Sequence, residues 1–212
     1  LLGFGDGAFI VQDPAQALLA RFADLPSGTV IYDACAAPGG KSIALGRHAK
    51  TVVAGEVSPS RARRLAENVV RAGSGREQVI VADARQPPLR RAEVVLVDAP
   101  CLGTGTFARN PDARWRVTPE GLGSLEHLQS QLLERTASVV PPGGLLVYST
   151  CSLEPEENGA QIKRFLAGHP DFYREPTEAI PPDLLSQQGD LMVLPQQHGM
   201  DGAFAARLRR SV

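Results

Sequence analysis

Short apolar runs rich in β-branched residues recur along the chain, at Thr29–Tyr32, Thr51–Ala54, Gln78–Val81, Val94–Val97, Leu145–Tyr148, Leu191–Leu194 and Ala203–Leu208. Their length and composition predict strands. Between them apolar residues return at helical spacing. Pro59–Ala72 carries Leu65 and Val69 four apart. Thr118–Val140 opens Thr-Pro-Glu, an N-cap followed by proline at the first helical position, and then repeats Leu122, Leu125, Leu128, Leu132 and Val139. Pro155–Leu166 brings Ile162, Phe165 and Leu166 to one side. Strands alternating with helices predict an α/β fold, a mostly parallel seven-stranded sheet with helices on both faces. No internal repeat interrupts the pattern, and residues 170–200, with five prolines, read as a long surface excursion.

Open sheets of this kind bind ligands at the carboxyl ends of their strands. Cys35, Cys101 and Cys151 each follow a predicted strand there. Asp33-Ala34-Cys35-Ala36-Ala37-Pro38-Gly39-Gly40-Lys41-Ser42 joins a strand to a helix, and its glycines let a ligand approach the backbone. Its tail mimics a phosphate loop, but that pattern needs glycine at position 35, where this chain has cysteine. Gly103-Thr104-Gly105-Thr106-Phe107-Ala108 mimics a dinucleotide fingerprint, but Arg109-Asn110-Pro111-Asp112 reads as a turn, not a helix. Acids close the next three strands. Glu56 is placed for ribose hydroxyls, Asp83 for an adenine amino group and Asp98 for an ammonium. Acids without a phosphate cradle point to S-adenosylmethionine, a cationic sulfonium with an amino-acid tail.

Composition narrows the partners. The chain has 212 residues, with 22 Lys+Arg against 23 Asp+Glu and 43% hydrophobic residues. This excludes a histone-like tail and a disordered acidic segment. Unpaired cysteines and scattered histidines argue against a disulfide framework or a metal site. No apolar stretch is long enough to span a bilayer, and the start has no signal-peptide pattern. The expectation is a cytoplasmic monomer, and the missing initiator Met reads as a fragment of a longer protein. The charge is unevenly spread. Residues 60–92 hold eight Arg against three acids, and residues 154–190 hold eight acids against three bases. Arg109, Arg114 and Arg116 flank Trp115, the only tryptophan, a combination suited to RNA. The alternative is a solvated Arg61–Arg71 helix face with Trp115 packed in the core.

Three stretches together resemble a known family. They are Asp-Ala-Cys-Ala-Ala-Pro-Gly-Gly-Lys (33–41), Asp-Ala-Pro-Cys-Leu-Gly-Thr-Gly (98–105), and Tyr-Ser-Thr-Cys-Ser (148–152) followed by Glu-Pro-Glu-Glu-Asn (154–158). They are similar to the RNA (cytosine-5)-methyltransferases, in particular the bacterial Sun/Fmu type that modifies small-subunit (16S) ribosomal RNA. The resemblance runs from Gly7 to Leu208. It implies a Rossmann-like class I methyltransferase domain over residues 1–212, without the N-terminal RNA-binding domain typical of that type. It implies that Cys35, Ala36, Ala37, Pro38, Gly39, Gly40, Lys41, Glu56, Arg61, Asp83 and Asp98 hold S-adenosylmethionine. It further implies that Cys151 is the nucleophile, that Cys101 assists product release, and that Lys41 and Asp98 also lie near the target base. Glu56 stands where the family usually has Asp, Leu102 where it has Ser, and Ala203 where it has an aromatic residue.

The implied chemistry is demanding. Cytosine C5 is a poor nucleophile, and addition of a thiolate to C6 turns the ring into an enamine that can attack a methyl sulfonium. Cys151 must therefore ionise, helped by a helix expected to start near Pro155, whose dipole Glu154, Glu156 and Glu157 partly oppose. A protonated Asp98 is the candidate donor to N3. Two competing readings are a non-catalytic RNA-binding or ribosome-assembly module and a methyltransferase acting on another nucleic acid.

Overall fold

The computed structural model describes all 212 residues. Its strands are β1 Val30–Asp33, β2 Thr51–Glu56, β3 Glu77–Val81, β4 Val94–Asp98, β5 Leu145–Thr150, β6 Phe172–Arg174, β7 Leu191–Val193 and β8 Ala203–Arg210. The order is β3-β2-β1-β4-β5-β8-β6, with β7 also paired to β8. β1 to β5 are parallel, and β8 runs antiparallel to β5, with Leu145 opposite Arg209 and Thr150 opposite Phe204. β6 pairs with residues 208–210 of β8 and β7 with residues 203–205. The two short strands therefore share one edge, and eight strands fill seven sheet positions.

The sheet is the expected mostly parallel one, but it has eight strands rather than seven. β6 has only three residues, too few for alternation to register. The residues 170–200 are also more than a surface excursion. They contribute β6, β7 and the buried Ile180, Leu184, Leu191 and Val193.

Burial explains the continuous apolar runs. Alternate residues of each central strand serve opposite layers, so neither face can be polar. Ile31, Leu96 and Val147 enter the core that also holds Leu19, Phe22 and Leu65. Tyr32, Val97 and Tyr148 enter the opposite core with Leu132, Leu133, Ile162 and Phe165.

The helices are α1 Pro14–Ala23, α2 Gly40–Gly46, α3 Pro59–Ala72, α4 Pro119–Ala137, α5 Gly159–Gly168 and the single turn α6 Pro195–His198. α3 spans the expected residues. α4 lies within its expected range, its N-cap Thr118 accepting from Gly121 N at 3.0 Å. α5 starts at Gly159 instead of near Pro155, because Pro155 to Asn158 form a turn in which Asn158 N donates to the Pro155 carbonyl at 3.1 Å. The helix N-terminus expected to help Cys151 is thus a full turn further along the chain. α1 was not expected, although Asp13 caps it with Pro14 behind, Asp13 Oδ1 accepting from Ala15 N at 2.9 Å. No helix is long and apolar enough to cross a membrane.

Candidate active site

The sheet order reverses between β1 and β4, and the loops after β1, β2, β3, β4 and β5 converge above that reversal. The loop after β1 is fixed by α3. Asn68 Nδ2 donates to the Pro38 carbonyl at 2.8 Å and Arg61 Nη2 to the Ala37 carbonyl at 3.1 Å. Gly39 adopts φ +112°, and a Cβ there would meet Leu65 Cδ1 at 2.8 Å, so the turn before α2 needs glycine. Beneath it, Asp33 is wholly buried and accepts from Ser42 Oγ at 2.6 Å, while its Oδ1 has no partner. Burial pushes the Asp33 carboxyl up to about 6.

Two cavities open here and share Cys35, Ala37, Asp98, Ala99 and Cys151. The larger, about 520 Å³, is mostly apolar, walled by Val57 and by Leu128 and Leu132 of α4. Its charged groups are the acids expected at strand ends, with their arginines. Glu56 is 2% exposed; its Oε1 accepts from Ser58 N at 3.0 Å and its Oε2 lies 3.4 Å from Arg61 Nη2. Asp83 accepts from Arg85 Nη2 at 2.7 Å and from Nε at 3.0 and 3.1 Å, which holds its carboxyl below the usual range. An apolar slot lined by a buried carboxylate and two further acids fits an adenosyl group carrying a cationic sulfonium. Of the residues expected to hold such a group, Cys35, Ala37, Glu56, Arg61, Asp83 and Asp98 line this cavity. Ala36, Pro38, Gly40 and Lys41 line the smaller one, and Gly39 lines neither.

The smaller cavity, about 320 Å³, is polar. Cys101 Sγ lies 3.4 Å from Cys151 Sγ, which lines both cavities. The hydrogen bond from the Cys101 thiol, helped by the Lys41 charge, holds Cys151 below the usual thiol range against burial and Asp98. The same bond and burial push the Cys101 thiol up. Burial likewise pushes up Cys35. Lys41 Nζ donates to Asp98 Oδ2 at 2.7 Å and to Gln16, and Ser149 Oγ donates to Asp98 Oδ1 at 2.8 Å. Burial acts to lower the Lys41 pKa, but the ion pair with Asp98 outweighs it, so Lys41 stays charged. Both Asp98 oxygens are thus engaged, one by Lys41 and one by Ser149.

Two further contacts hold the cysteine loops together. Gly105 N donates to the Cys151 carbonyl at 3.0 Å and Gly202 N to the Gly105 carbonyl at 2.8 Å. A Cβ on Gly105 would fall 2.6 Å from Gly202 Cα. Glu157 is buried, accepting from Leu102 N at 3.1 and 3.2 Å and from Gln129 Nε2 at 2.8 Å. It therefore clamps the backbone beside Cys101 instead of opposing a helix dipole, and the clamp uses only the main chain of Leu102. Ala203 is buried against Val193 of β7, where the smaller side chain is enclosed by the sheet.

Sequence reading missed Gln12, Asp13, Gln16 and Thr106, which line the smaller cavity together with Arg109, expected only as an RNA contact. The Asp13-Pro14 capping signal could have found α1 and with it three of them. Trp115 is 82% exposed, which rules out a core role. Arg71 is used locally, donating to the Phe4 carbonyl at 2.8 Å and stacking over the Phe4 ring.

The description of the 16S rRNA methyltransferase RsmB/F family matches residues 22–209. The probable ribosomal RNA small subunit methyltransferase B of Synechocystis is 38% identical over 100% of this chain and 50% of its own length. Ribosomal RNA small subunit methyltransferase B of Thermus thermophilus is 36% identical over 94% of this chain and 49% of its own. The chain thus spans about half the length of the curated relatives it matches. Among solved structures, NSun6 from Pyrococcus horikoshii, crystallised with SFG, superposes with a TM-score of 0.89 at 28% identity, over 100% of this chain and 56% of that one. Strand order, paired cysteines and sequence similarity agree, and the chain belongs to the RsmB/F family of 16S rRNA methyltransferases.

Proposed function

We propose that this chain transfers a methyl group from S-adenosylmethionine to C5 of a cytosine in RNA, with small-subunit ribosomal RNA as its substrate, through a covalent bond between Cys151 and C6. The observation that carries this reading is the Cys101–Cys151 pair, 3.4 Å apart where the two cavities meet beside the Lys41–Asp98 ion pair. A binding module needs neither thiol. The names of the curated relatives support the RNA substrate, and SFG, an analogue of S-adenosylmethionine, supports the cofactor.

In this reading the larger cavity holds S-adenosylmethionine, which supplies an electrophilic methyl group. Glu56 accepts from the ribose hydroxyls and Asp83 from the adenine amino group. The smaller cavity takes the target base, which enters unstacked. The Cys151 thiolate adds its electron pair to C6, and the C5–C6 π pair moves into the ring, toward N3 and O2. Lys41 keeps one N–H beyond its bonds to Asp98 and Gln16 and donates it to N3. C5 would then bond to the methyl carbon as the S–CH3 bond breaks, its electron pair staying on sulfur so that the neutral thioether S-adenosylhomocysteine leaves. A base removes the C5 proton, the C5–C6 double bond re-forms, and the C6–S bond breaks with its pair returning to Cys151. The Cys101 thiol, hydrogen-bonded to that sulfur, stabilises the departing thiolate.

Incubation with tritiated S-adenosylmethionine and small-subunit ribosomal RNA tests the reading. Label on 5-methylcytosine is expected with the wild type and none with Cys151→Ala, while Cys101→Ala accumulates a protein–RNA adduct on denaturing gels. Cofactor binding without label on any RNA favours the binding module, and an adduct with Cys151→Ala reverses the two cysteine roles.

A further inference from the structure

Three segments remote in sequence meet at the rim of the smaller cavity: the N-cap of α1, the turn after Thr106, and the residues just before β8. They are joined through Arg109. Asp201, 3% exposed, accepts from Arg109 Nε at 2.8 Å and from Nη2 as well. Asp13 Oδ2 lies 3.8 Å from Nε, while its Oδ1 accepts from Ala15 N at 2.9 Å and from Asp201 N at 3.3 Å. The guanidinium is thus gripped along one edge, and Nη1, with two N–H groups, has no partner in the protein. Arg109 lines the same cavity as Lys41, Asp98 and Cys151.

The charges limit what Nη1 can bind. Two carboxylates outweigh one guanidinium, so the triad repels a phosphate and suits a neutral acceptor. A cytosine offers one carbonyl, O2, on the edge of the ring opposite its C5, while its N4 amino group is a donor and suits a carboxylate such as Asp98. Lys41 has one N–H left and the amides of Gln12 and Gln16 are neutral, so Arg109 is the one cationic donor on the wall with two free protons. O2 is also where charge collects when sulfur adds to C6.

We infer that Arg109 is a catalytic residue, donating from Nη1 to O2 of the target cytosine and stabilising the charge that develops there as Cys151 adds. This rests on the proposed methylation of cytosine. No proton changes hands, since the S–C6 bond forms from the sulfur pair and the displaced π pair spreads onto N3 and O2 under the hydrogen bonds of Lys41 and Arg109.

The test uses Arg109→Gln and Arg109→Lys with tritiated S-adenosylmethionine and small-subunit ribosomal RNA, with melting temperature and cofactor affinity as controls. Loss of a preorganised donor to a developing oxyanion costs roughly 10²–10³-fold in kcat. That loss is expected for Arg109→Gln, with the KM for RNA within about threefold. An ammonium can satisfy Asp201 but has no planar fork to reach O2 as well. Arg109→Lys should therefore keep the wild-type melting temperature while kcat stays down at least about tenfold. Full recovery of kcat in Arg109→Lys reduces Arg109 to a tie between loops and overturns the inference. A raised KM with unchanged kcat overturns it in favour of backbone binding. A wild type that labels no RNA overturns the methylation reading itself.

Discussion

The larger cavity is built mainly from the ends of consecutive strands, whereas the smaller is assembled from segments up to 140 residues apart and tied at its rim to Asp201. In the first, Glu56, Asp83 and Asp98 each follow a strand and share one crevice because a parallel sheet brings equivalent ends together. In the second, Asp13, Lys41, Arg109 and Asp201 come from four unrelated places, and each charge is balanced by a neighbour from another segment. A strand-end site tolerates loop variation because the sheet sets the spacing. A site made of cross-linked loops depends on every link, and its reacting groups respond to distant changes.

Substitutions that act on one cavity and spare the other test this contrast. The largest effect is expected for Cys151→Ala, a loss of methyl transfer of at least about 10⁴-fold with cofactor affinity kept within about threefold by calorimetry. Loss of transfer together with equal loss of cofactor binding would make the two cavities one unit.

Glu56→Ala acts in the opposite sense. Removing a buried acceptor of charge-assisted hydrogen bonds should weaken S-adenosylmethionine binding by roughly 10–100-fold. Alkylation of Cys151 by iodoacetamide, followed by mass spectrometry, should keep its rate.

Asp33 lines the smaller cavity, and its effect depends on pH. Its carboxyl titrates near 6 in the folded chain against 3.8 ordinarily, so its contribution to stability is fullest below pH 4 and is lost as pH rises through 6. Asp33→Asn should raise stability by about 2–3 kcal/mol above pH 7, with the gain vanishing near pH 4, read from urea midpoints. A gain independent of pH would mean that ionisation is not the cause.

Gly105→Ala places a methyl group against Gly202 and the Cys151 carbonyl and should cost about 1–3 kcal/mol. It should also slow transfer more than it weakens cofactor binding. The smallest effect is expected at Trp115. With that ring in solvent, Trp115→Ala should change stability by less than about 0.5 kcal/mol. The KM for RNA should rise severalfold, consistent with base stacking worth about 1–3 kcal/mol.

Much of this was legible from residue order. The central strands announced themselves because both faces of the sheet are covered, so their residues are apolar up to the polar strand ends. α3 announced itself through Leu65 and Val69 four apart, and α4 through Thr118, whose side chain caps the first turn with proline behind. β6 did not, since three residues make no pattern and Tyr173 is exposed. The start of α5 was misplaced because Pro155 resembles a first helical residue, yet its turn is closed by its own hydrogen bonds. Glu157 looked like a surface acid in an acidic run. Only packing shows that it is buried on the Leu102 N–H.

The three motifs by themselves determined the family resemblance and the two cysteines, and place after a predicted strand marked Glu56, Asp83 and Asp98, because these are local features that a residue's neighbours in the chain define. Tertiary structure decided the rest. It set the 3.4 Å contact that makes one cysteine the more acidic, paired Lys41 with Asp98, and gathered Asp13, Arg109 and Asp201 at one rim. The reason is electrostatic. The behaviour of an ionisable group depends on burial and on charges within a few ångströms, and those neighbours are chosen by the fold and not by adjacency in the chain.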